Sequence, residues 1–196
     1  MYIFTPCAAG CGMPAIHGSA LCASHQVARL DEERRIKEFI INTKTINDLN
    51  AQGLHFRKMD FSGCQIFESS FSGAVFDNCI FNNTRMRLVF FDFTTFNSCE
   101  FINVDFHFLS FGGAAIEHCR FDNSELVDIN FGGANIIDTE FCNNNLYNSR
   151  FIESKISKTS IVNCNVKRVN FCKSRQDELV FKTSNTAEAI FDMGTL

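Results

Sequence analysis

The feature that most constrains this chain is an apolar residue at every fifth position. From Phe61 to Phe171 each fifth residue is apolar without interruption. A spacing of five matches neither the helical period of about 3.6 residues nor the strand period of 2. The chain therefore repeats a structural unit of its own, and the recurring apolar residue, the centre of each unit, is expected to lie in a core.

The residues around each centre indicate a short extended segment followed by a turn. Small residues such as Cys64 and Ala74 dominate the position two before a centre. Residues two apart in an extended segment point to the same side, so a small and a large side chain face inward together. Glycines, which adopt a positive φ at little cost, recur two residues after a centre. These glycines are Gly63, Gly73, Gly113 and Gly133.

A second period, of twenty residues, sets the number of sides. Phenylalanines recur at this spacing in two columns, predicted to form ladders that face each other. One column is Phe61, Phe81, Phe101, Phe121 and Phe141, and the other is Phe71, Phe91, Phe111, Phe131, Phe151 and Phe171. Four sides per turn predict a square all-β solenoid of about six turns over residues 54–174. Each buried Phe contributes about 2–3 kcal/mol, so the core explains the phenylalanines without a ligand.

The repeat units resemble a known family. The stretches SFSGAVFDNCIF and NFGGANIIDTEF are similar to the pentapeptide-repeat family over residues 54–174. The resemblance implies that the square solenoid is a right-handed quadrilateral β-helix, the handedness being that of the family.

A cluster of cysteines and histidines precedes the repeats. Cys7, Cys11, Cys22 and His25 form two close pairs separated by a loop, with His17 as a fifth candidate. This spacing suits one tetrahedral Zn²⁺, and a segment this small needs metal binding in order to fold. The alternative is a loose N-terminus with ordinary cysteines. The zinc is predicted to be structural, because residues 1–30 contain no carboxylate to act as a general base.

The residue pattern of this cluster is similar to that of small zinc knuckles that accompany phage nucleases and DNA-binding proteins. After it, QVARLDEERRIKEFI predicts a helix with the pairs Asp31–Arg35 and Glu33–Lys37. A partial apolar face is expected to cover the open first turn of the solenoid, and a partner-binding helix is the alternative. That face comprises Val27, Leu30, Ile36, Phe39 and Ile40. Residues 1–50 are thus predicted to be a zinc knuckle and capping helix.

The far end of the repeat region differs from its middle. The register fails at Gln176, although Phe181 and Phe191 return in phase. Residues 175–196 are therefore predicted to form a closing cap or a dimer contact. In the gyrase-acting branch of the family two rods join at the C-terminal end, which implies a homodimer through this end.

The sequence predicts neither an enzyme nor a membrane protein. His55, His107 and His118 take outward positions with no nucleophile beside them, and most of the repeat's cysteines point inward. No apolar run is long enough to cross a bilayer, and the first residues lack a signal peptide's pattern. We expect a cytoplasmic protein whose ten cysteines are thiols and metal ligands.

Charge is distributed unevenly along the predicted rod. Acids predominate in residues 88–149, and cations predominate in residues 150–175. Six acids fall on two adjacent sides of the square and form a candidate partner-binding face: Glu100, Asp105, Asp122, Glu125, Asp128 and Glu140. The alternative is that these charges have no partner and form a solvated surface that keeps the protein soluble.

Three functions fit these features. The first is a non-enzymatic rod that binds a protein partner, whose identity the sequence does not give. The second is suggested by the quinolone-resistance branch of the family, whose members resemble a DNA duplex and bind type II topoisomerases such as DNA gyrase. The third is a nucleic-acid-associated adaptor that acts through the zinc knuckle.

Overall fold

Residues 5–192, which the computed structural model describes, form a parallel β-solenoid with one α-helix near its N-terminal end. The helix α1 spans Arg29–Asn42, and single 3-10 turns span Ala23–His25 and Thr186–Glu188. All strands have three residues, because each side of the solenoid is one pentapeptide with its turn. The strands are β1 (Thr45–Asn47), β2 (His55–Arg57), β3 (Gln65–Phe67), β4 (Val75–Asp77), β5 (Arg85–Arg87), β6 (Thr95–Asn97), β7 (Glu100–Ile102), β8 (Asp105–His107), β9 (Ala115–Glu117), β10 (Arg120–Asp122), β11 (Glu125–Val127), β12 (Asn135–Ile137), β13 (Glu140–Cys142), β14 (Lys155–Ser157), β15 (Ser160–Val162), β16 (Arg175–Asp177) and β17 (Val180–Lys182).

The strands stack into the four sides that the period of twenty predicted. Side A contains β7, β10, β13, β15 and β17, side B contains β1, β3, β5, β8 and β11, and side D contains β2, β4, β6, β9, β12, β14 and β16. Side C, which includes the centre Phe111, is held by single parallel bridges such as Ser110↔Asn130. Partners lie twenty residues apart, as in Phe121↔Phe141, so the predicted register is confirmed.

The stack is longer than predicted. Side D contains seven strands, which gives about seven turns instead of six. The additional length arises at both ends, since Ile46 and Ala51 continue the buried positions beyond residue 54 toward the N-terminus. At the other end, β16 and β17 still pair with the preceding turn even though Gln176 breaks the apolar pattern. Backbone pairing therefore extends beyond the apolar repeat.

The core consists of stacked phenylalanine rings. Phe81 and Phe101 lie 4.7 Å apart with ring planes at 6°. Phe91 and Phe111 on side C lie 5.1 Å apart. The two predicted ladders are thus present, and a third ladder of Phe56, Phe76 and Phe96 lies on side D. Rings of neighbouring ladders meet edge to face, a favourable arrangement that holds adjacent sides together.

The small inward positions satisfy their polar atoms within the stack. Cys79 and Cys99 donate their thiol hydrogens to the carbonyls of Phe56 and Phe76. Asn144 is buried, donates to the Phe121 carbonyl at 2.8 Å and accepts from the Ser124 backbone N–H at 3.0 Å. Asn144 therefore belongs to the core, where unpaired polar groups would be costly.

The corner positions, two residues after each centre, share a positive φ throughout the solenoid. Asn143 and Asn163, on consecutive turns of one corner, are joined by a side-chain hydrogen bond of 2.8 Å. Asparagine tolerates the left-handed region better than most residues, and its amides can form a ladder along the corner. The glycines were thus only part of the turn signal.

The helix α1 covers the first turn, with Ile36 and Ile40 buried in the same core as Ile46. Phe39 is partly buried against this core. The prediction for Val27 and Leu30 was wrong: these side chains are 98% and 81% exposed. Val27 precedes the helix, which begins at Arg29, and Leu30 lies in its first turn on the outer surface.

The ion pairs of α1 also differ from the prediction. They are Arg29–Glu33, Asp31–Arg34 and Glu32–Arg35. Arg35 also donates to the carbonyl of His17, which directs its guanidinium toward the N-terminal loop. These short-range pairs replace the expected Asp31–Arg35 and Glu33–Lys37.

Candidate metal centre and solenoid surface

The four predicted zinc ligands converge at one point. Cys7 and Cys11 lie on a loop that a bridge between Pro6 and Pro14 closes. Cys22 immediately precedes the first 3-10 turn, and His25 is the last residue of that turn. All four ligand atoms lie within 4.8 Å of one another. We call residues 5–28 the metal module.

The spacing of these atoms fits a tetrahedral zinc site. A Zn–S bond of about 2.3 Å places two sulfur ligands about 3.8 Å apart. The Cys11 and Cys22 sulfurs are separated by 3.7 Å. The Nδ1 atom of His25 lies 3.3 Å from the Cys22 sulfur and 3.6 Å from the Cys7 sulfur. Three sulfurs and one imidazole nitrogen are also a donor set that Zn²⁺ prefers, so the residues fit the ion.

The module's backbone favours thiolate at Cys7. The Cys22 backbone N–H donates to the Cys7 sulfur at 3.3 Å and lowers the pKa of Cys7 to about 6. Hydrogen bonding to Cys22 raises the pKa of His25. Cys7 is thus favoured as a thiolate ligand beside the imidazole of His25.

His17 lies apart from this cluster. Its ring packs on Phe39 with centroids 5.0 Å apart, and its backbone N–H donates to the Asn50 carbonyl. The side chain of Asn50 donates in return to the Ala15 carbonyl. Ile16 is buried in the solenoid core. Residues 15–17 therefore attach the module to the first turn.

The six acids of the candidate face occupy sides A and B and the corner that follows. Asp105 is held by Arg85 at 2.9 Å, by Arg87 at 2.8 Å and by His107 at 3.2 Å. Asp122 pairs with Arg120 at 2.7 Å, and its pKa is lowered by hydrogen bonds from Asn143 and Arg120.

The other four acids, Glu100, Glu125, Asp128 and Glu140, form no ion pair within residues 5–192. Arg120 lies between Glu100 and Glu140 in the strand register. The face is therefore less negative than the acids alone suggest. The spacing of twenty between Arg85 and Asp105 was the sequence signal for their pairing.

A set of exposed apolar side chains was missed by sequence reasoning. Leu88, Phe90, Phe93 and Phe108 lie on the surface near side C. Leu88, Phe93 and Phe108 occupy corner positions with positive φ. The available signal was a bulky apolar residue two positions after a centre, where polar residues or glycine stand in most units.

The histidines and inner cysteines of the solenoid have structural surroundings. His55 contacts Asp77 at 2.7 Å, and His118 lies 3.6 Å from Asp138. A hydrogen bond with Cys119 raises the pKa of Cys99 to about 12, and burial raises that of Cys164 to about 11. These thiols stay protonated at neutral pH and are poor nucleophiles.

Comparison with known proteins agrees with the repeat architecture. The family model for pentapeptide repeats matches residues 47–83 and 124–161 in eight copies. HetL, a pentapeptide-repeat protein involved in heterocyst differentiation regulation from the cyanobacterium Nostoc, aligns with 8% identity and a TM-score of 0.50. The alignment covers 83% of this chain and 97% of HetL.

Two further structures align less closely. Trypsin-treated QnrB1, a plasmid-mediated fluoroquinolone resistance protein, has 12% identity and a TM-score of 0.44, covering 70% of this chain and 88% of QnrB1. Rfr23 from the cyanobacterium Cyanothece has 8% identity and a TM-score of 0.33, covering 81% of this chain and 99% of Rfr23. No curated protein matches the sequence.

The chain is thus a β-solenoid built from stacked pentapeptides. Residues 47–83 and 124–161 match the model of the pentapeptide-repeat family, and the fold is the pentapeptide-repeat β-helix. In the described part of the chain, every helix is too short or too polar to span a bilayer.

Proposed function

We propose that this protein is a non-enzymatic protein-interaction rod whose N-terminal end is held by a structural zinc ion. The observation that carries the zinc site is the convergence of Cys7, Cys11, Cys22 and His25 within 4.8 Å, beside the first turn. The solenoid buries its recurrent phenylalanines in itself, which leaves its sides and corners for contacts with a partner. The ion would crosslink two loops that bury little surface of their own.

The zinc assignment is tested by metal content and by single substitutions. Atomic spectroscopy of the purified full chain should give about one zinc per chain. Cys22→Ser should reduce this value sharply, whereas Cys142→Ser, which changes a half-buried cysteine of the solenoid, should leave it unchanged. Loss of zinc on His17→Ala but not on His25→Ala would show that the ligand assignment is wrong.

The interaction role is tested by affinity capture from the native cell extract, followed by mass spectrometry and crosslinking to locate the contact. A partner crosslinked to the solenoid's surface supports the rod. Turnover of a substrate by the purified protein, lost on a single surface substitution, would contradict a non-enzymatic role.

A second candidate is a DNA-mimicking modulator of a type II topoisomerase such as DNA gyrase. It is supported by the acids on sides A and B, since a duplex carries one negative charge per about 1.7 Å of axis. Cations beside Asp105 and Asp122 reduce this likeness. We therefore favour the general interaction rod.

Gyrase supercoiling at low salt, where charge attraction is strongest, tests this candidate. Unmutated protein at micromolar concentration should inhibit supercoiling, and the combined variant Glu100→Lys, Glu125→Lys, Glu140→Lys should not. Glu117→Lys on side D is the matched control. Unchanged supercoiling with the unmutated protein would eliminate the candidate.

The C-terminal end is our proposed homodimer contact. Val180 and Ile190 are 42% and 47% exposed, and Phe181 and Phe191 are only partly buried. The strands β16 and β17 are terminal in their sheets within the described part of the chain and carry exposed or half-buried side chains, and such edge strands favour association. Analytical ultracentrifugation should show a dimer that Phe181→Asp dissociates.

Two other assignments remain proposals. A cytoplasmic location would keep the module's thiols reduced, as zinc binding requires. A nucleic-acid adaptor role through the module is less favoured, since Arg29, Arg34 and Arg35 of the adjoining helix α1 are paired with acids of the same helix.

A further inference from the structure

Four apolar side chains form an exposed set around side C, which we call the corner patch: Leu88, Phe90, Phe93 and Phe108. Their exposed fractions are 48%, 42%, 77% and 57%. Leu88 and Phe108 stand at the same corner on adjacent turns, twenty residues apart. Phe90 begins the next stretch of side C, and Phe93 occupies the corner at its far end. Aromatic residues in such numbers on a surface are typical of binding sites.

The backbone at this patch is unfavourable for the residues it carries. Leu88, Phe93 and Phe108 have φ values of 55°, 56° and 58°. A bulky residue in this left-handed region is strained. Within residues 5–192, every other positive φ belongs to glycine or a polar residue. Three bulky apolar residues thus occupy strained corners within 21 consecutive positions, and packing does not explain them because their side chains are exposed.

Phe93 lies beside several glycines of side C and of the corner that follows. Its ring covers Gly113, where a Cβ atom would lie 2.8 Å from the ring. Polar side chains lie over the next two glycines, since an added Cβ would be 2.7 Å from the Asp92 carboxylate at Gly112 and 3.0 Å from the Asn130 amide at Gly132, whereas the nearest atom at Gly133 is 3.9 Å away. The Asp92 carboxylate is fixed nearby by the Ser110 hydroxyl and the Gly112 N–H. An incoming chain could therefore approach the open backbone at Gly133 while contacting the apolar rings of the preceding turns.

The size of the patch argues against a second folded copy as its occupant. Four side chains of roughly 150–250 Å² each, about half exposed, present about 400 Å². A standard interface buries about 800 Å² per partner. The patch matches instead the few anchor side chains that a short peptide segment inserts.

The charge near the patch indicates the character of that segment. Asp92 and Asp128 flank the apolar residues, and neither forms an ion pair in the described part of the chain. Arg85 and Arg87, on the side that precedes Leu88, are both held by Asp105, and His107 also faces that carboxylate. The surroundings therefore attract positive charge, which favours Lys or Arg beside the partner's apolar anchors.

We infer that the corner patch binds a short segment of another protein that carries apolar side chains flanked by Lys or Arg. This inference rests on the proposed function as an interaction rod and names its contact surface. Substitution by asparagine provides a sharp test, because asparagine tolerates the same backbone conformation and removes the apolar surface.

The experiment uses a displayed library of random 16-residue peptides, selected on the full-length, zinc-loaded protein. Enriched peptides should contain aromatic or aliphatic anchors with adjacent Lys or Arg. The combined variant Leu88→Asn, Phe93→Asn, Phe108→Asn should weaken their binding at least tenfold. Leu30→Asn, which removes an equally exposed apolar side chain at the N-terminal end, should leave binding unchanged. Raising the salt concentration should weaken binding to the unmutated protein.

Thermal unfolding supplies a second readout. Relief of strain should raise the Tm of the combined variant by roughly 2–4 °C per substitution. Binding that falls while Tm rises would show that these residues are present for contact and not for packing. A lowered Tm would overturn the inference, since it would give the side chains a structural role.

Other results would also overturn the inference. They are a library that yields no peptide, peptides that bind the unmutated protein and the variant equally, or enriched peptides that are acidic. None of these decides the proposed function, which capture from native extract tests separately. A captured partner that crosslinks to another side would leave the interaction rod standing without the corner patch.

Discussion

The metal module and the solenoid show two different ways to stabilise a fold. The solenoid repeats one solution: a Phe or aliphatic centre stacks on its equivalent in the next turn, as Phe101 does on Phe121 at 4.3 Å. The module has few buried side chains, among them Ile16, and gathers Cys7, Cys11, Cys22 and His25 at one point. Stability is thus distributed over many contacts in the solenoid, whereas in the module it would depend on four ligand atoms and the proposed zinc ion.

This difference predicts how each region responds to damage. In the solenoid, loss of one ring removes contacts with two neighbours and leaves the other turns in place. In the module, loss of one ligand would remove the zinc that we propose organises both loops. The two regions should therefore differ in their response to metal removal and to single substitutions.

Metal removal should separate the two regions most clearly. Chelation of the full chain should remove amide protection from residues 5–25 and leave it intact in residues 61–171, because structural zinc contributes about 10–16 kcal/mol to such small modules. Lowering the pH should also release the metal, since Cys7, Cys11, Cys22 and His25 must lose protons to bind it. Hydrogen exchange measures both effects. Simultaneous loss of protection in both regions would contradict the contrast.

Phe111→Ala should cost about 3–5 kcal/mol of unfolding free energy. Its ring is fully buried and stacks on Phe91 and Phe131, each at 5.1 Å. Denaturant unfolding measures the loss, and the zinc content should stay at one per chain. Phe191→Ala, at the partly buried end of the same column, is the control and should cost less. A loss well below 3 kcal/mol at Phe111 would mean that the ladder is loosely packed.

Asn144→Ala should cost about 1–3 kcal/mol, because it leaves the buried N–H of Ser124 without an acceptor. The exposed Asn165 provides the comparison, and its substitution by alanine should change stability by less than about 0.5 kcal/mol. Denaturant unfolding of both variants measures the difference. Equal losses of unfolding free energy would show that the buried Asn144 amide contributes no more to stability than the exposed Asn165 amide.

Gly133→Ala should have the smallest effect, about 1 kcal/mol. Gly133 has a φ of 66°, which alanine adopts with strain, while the nearest atom to an added Cβ lies 3.9 Å away. The cost is therefore conformational and not steric. Gly133→Asn should cost less than Gly133→Ala, and thermal unfolding can rank the two. The reverse order would show that the corner conformation does not set the cost.

The sequence predicted the square section well because its two periods act together. The spacing of five identifies inward residues such as Phe121, and the spacing of twenty identifies what each one stacks on, here Phe101 and Phe141. The third ladder was missed because Phe76 and Phe96 share their column with aliphatic residues. The number of turns was too low because Gln176 ended the apolar pattern while backbone pairing continued through β16.

The candidate sites were predicted less evenly. Ligand spacing along the chain anticipated which side chains the metal module brings together, since short loops leave few arrangements. The surface depended on contacts between turns, such as Arg85 with Asp105, and on exposed side chains such as Phe93. Neither the ion pairs between turns nor the exposed apolar side chains follow from residue type alone, because a side chain at a corner can adopt several orientations.

The regular pairing of residues twenty apart has a consequence for changes in chain length. The position of each surface residue is defined by its side and its turn. Arg85 and Asp105, for example, lie on the same side in adjacent turns. Deleting one complete turn would shorten the rod and keep every remaining residue on its own side. Deleting a single pentapeptide would rotate everything beyond it by a quarter turn. The basic residues near the C-terminal end would then face a new direction, although not one of them had been replaced.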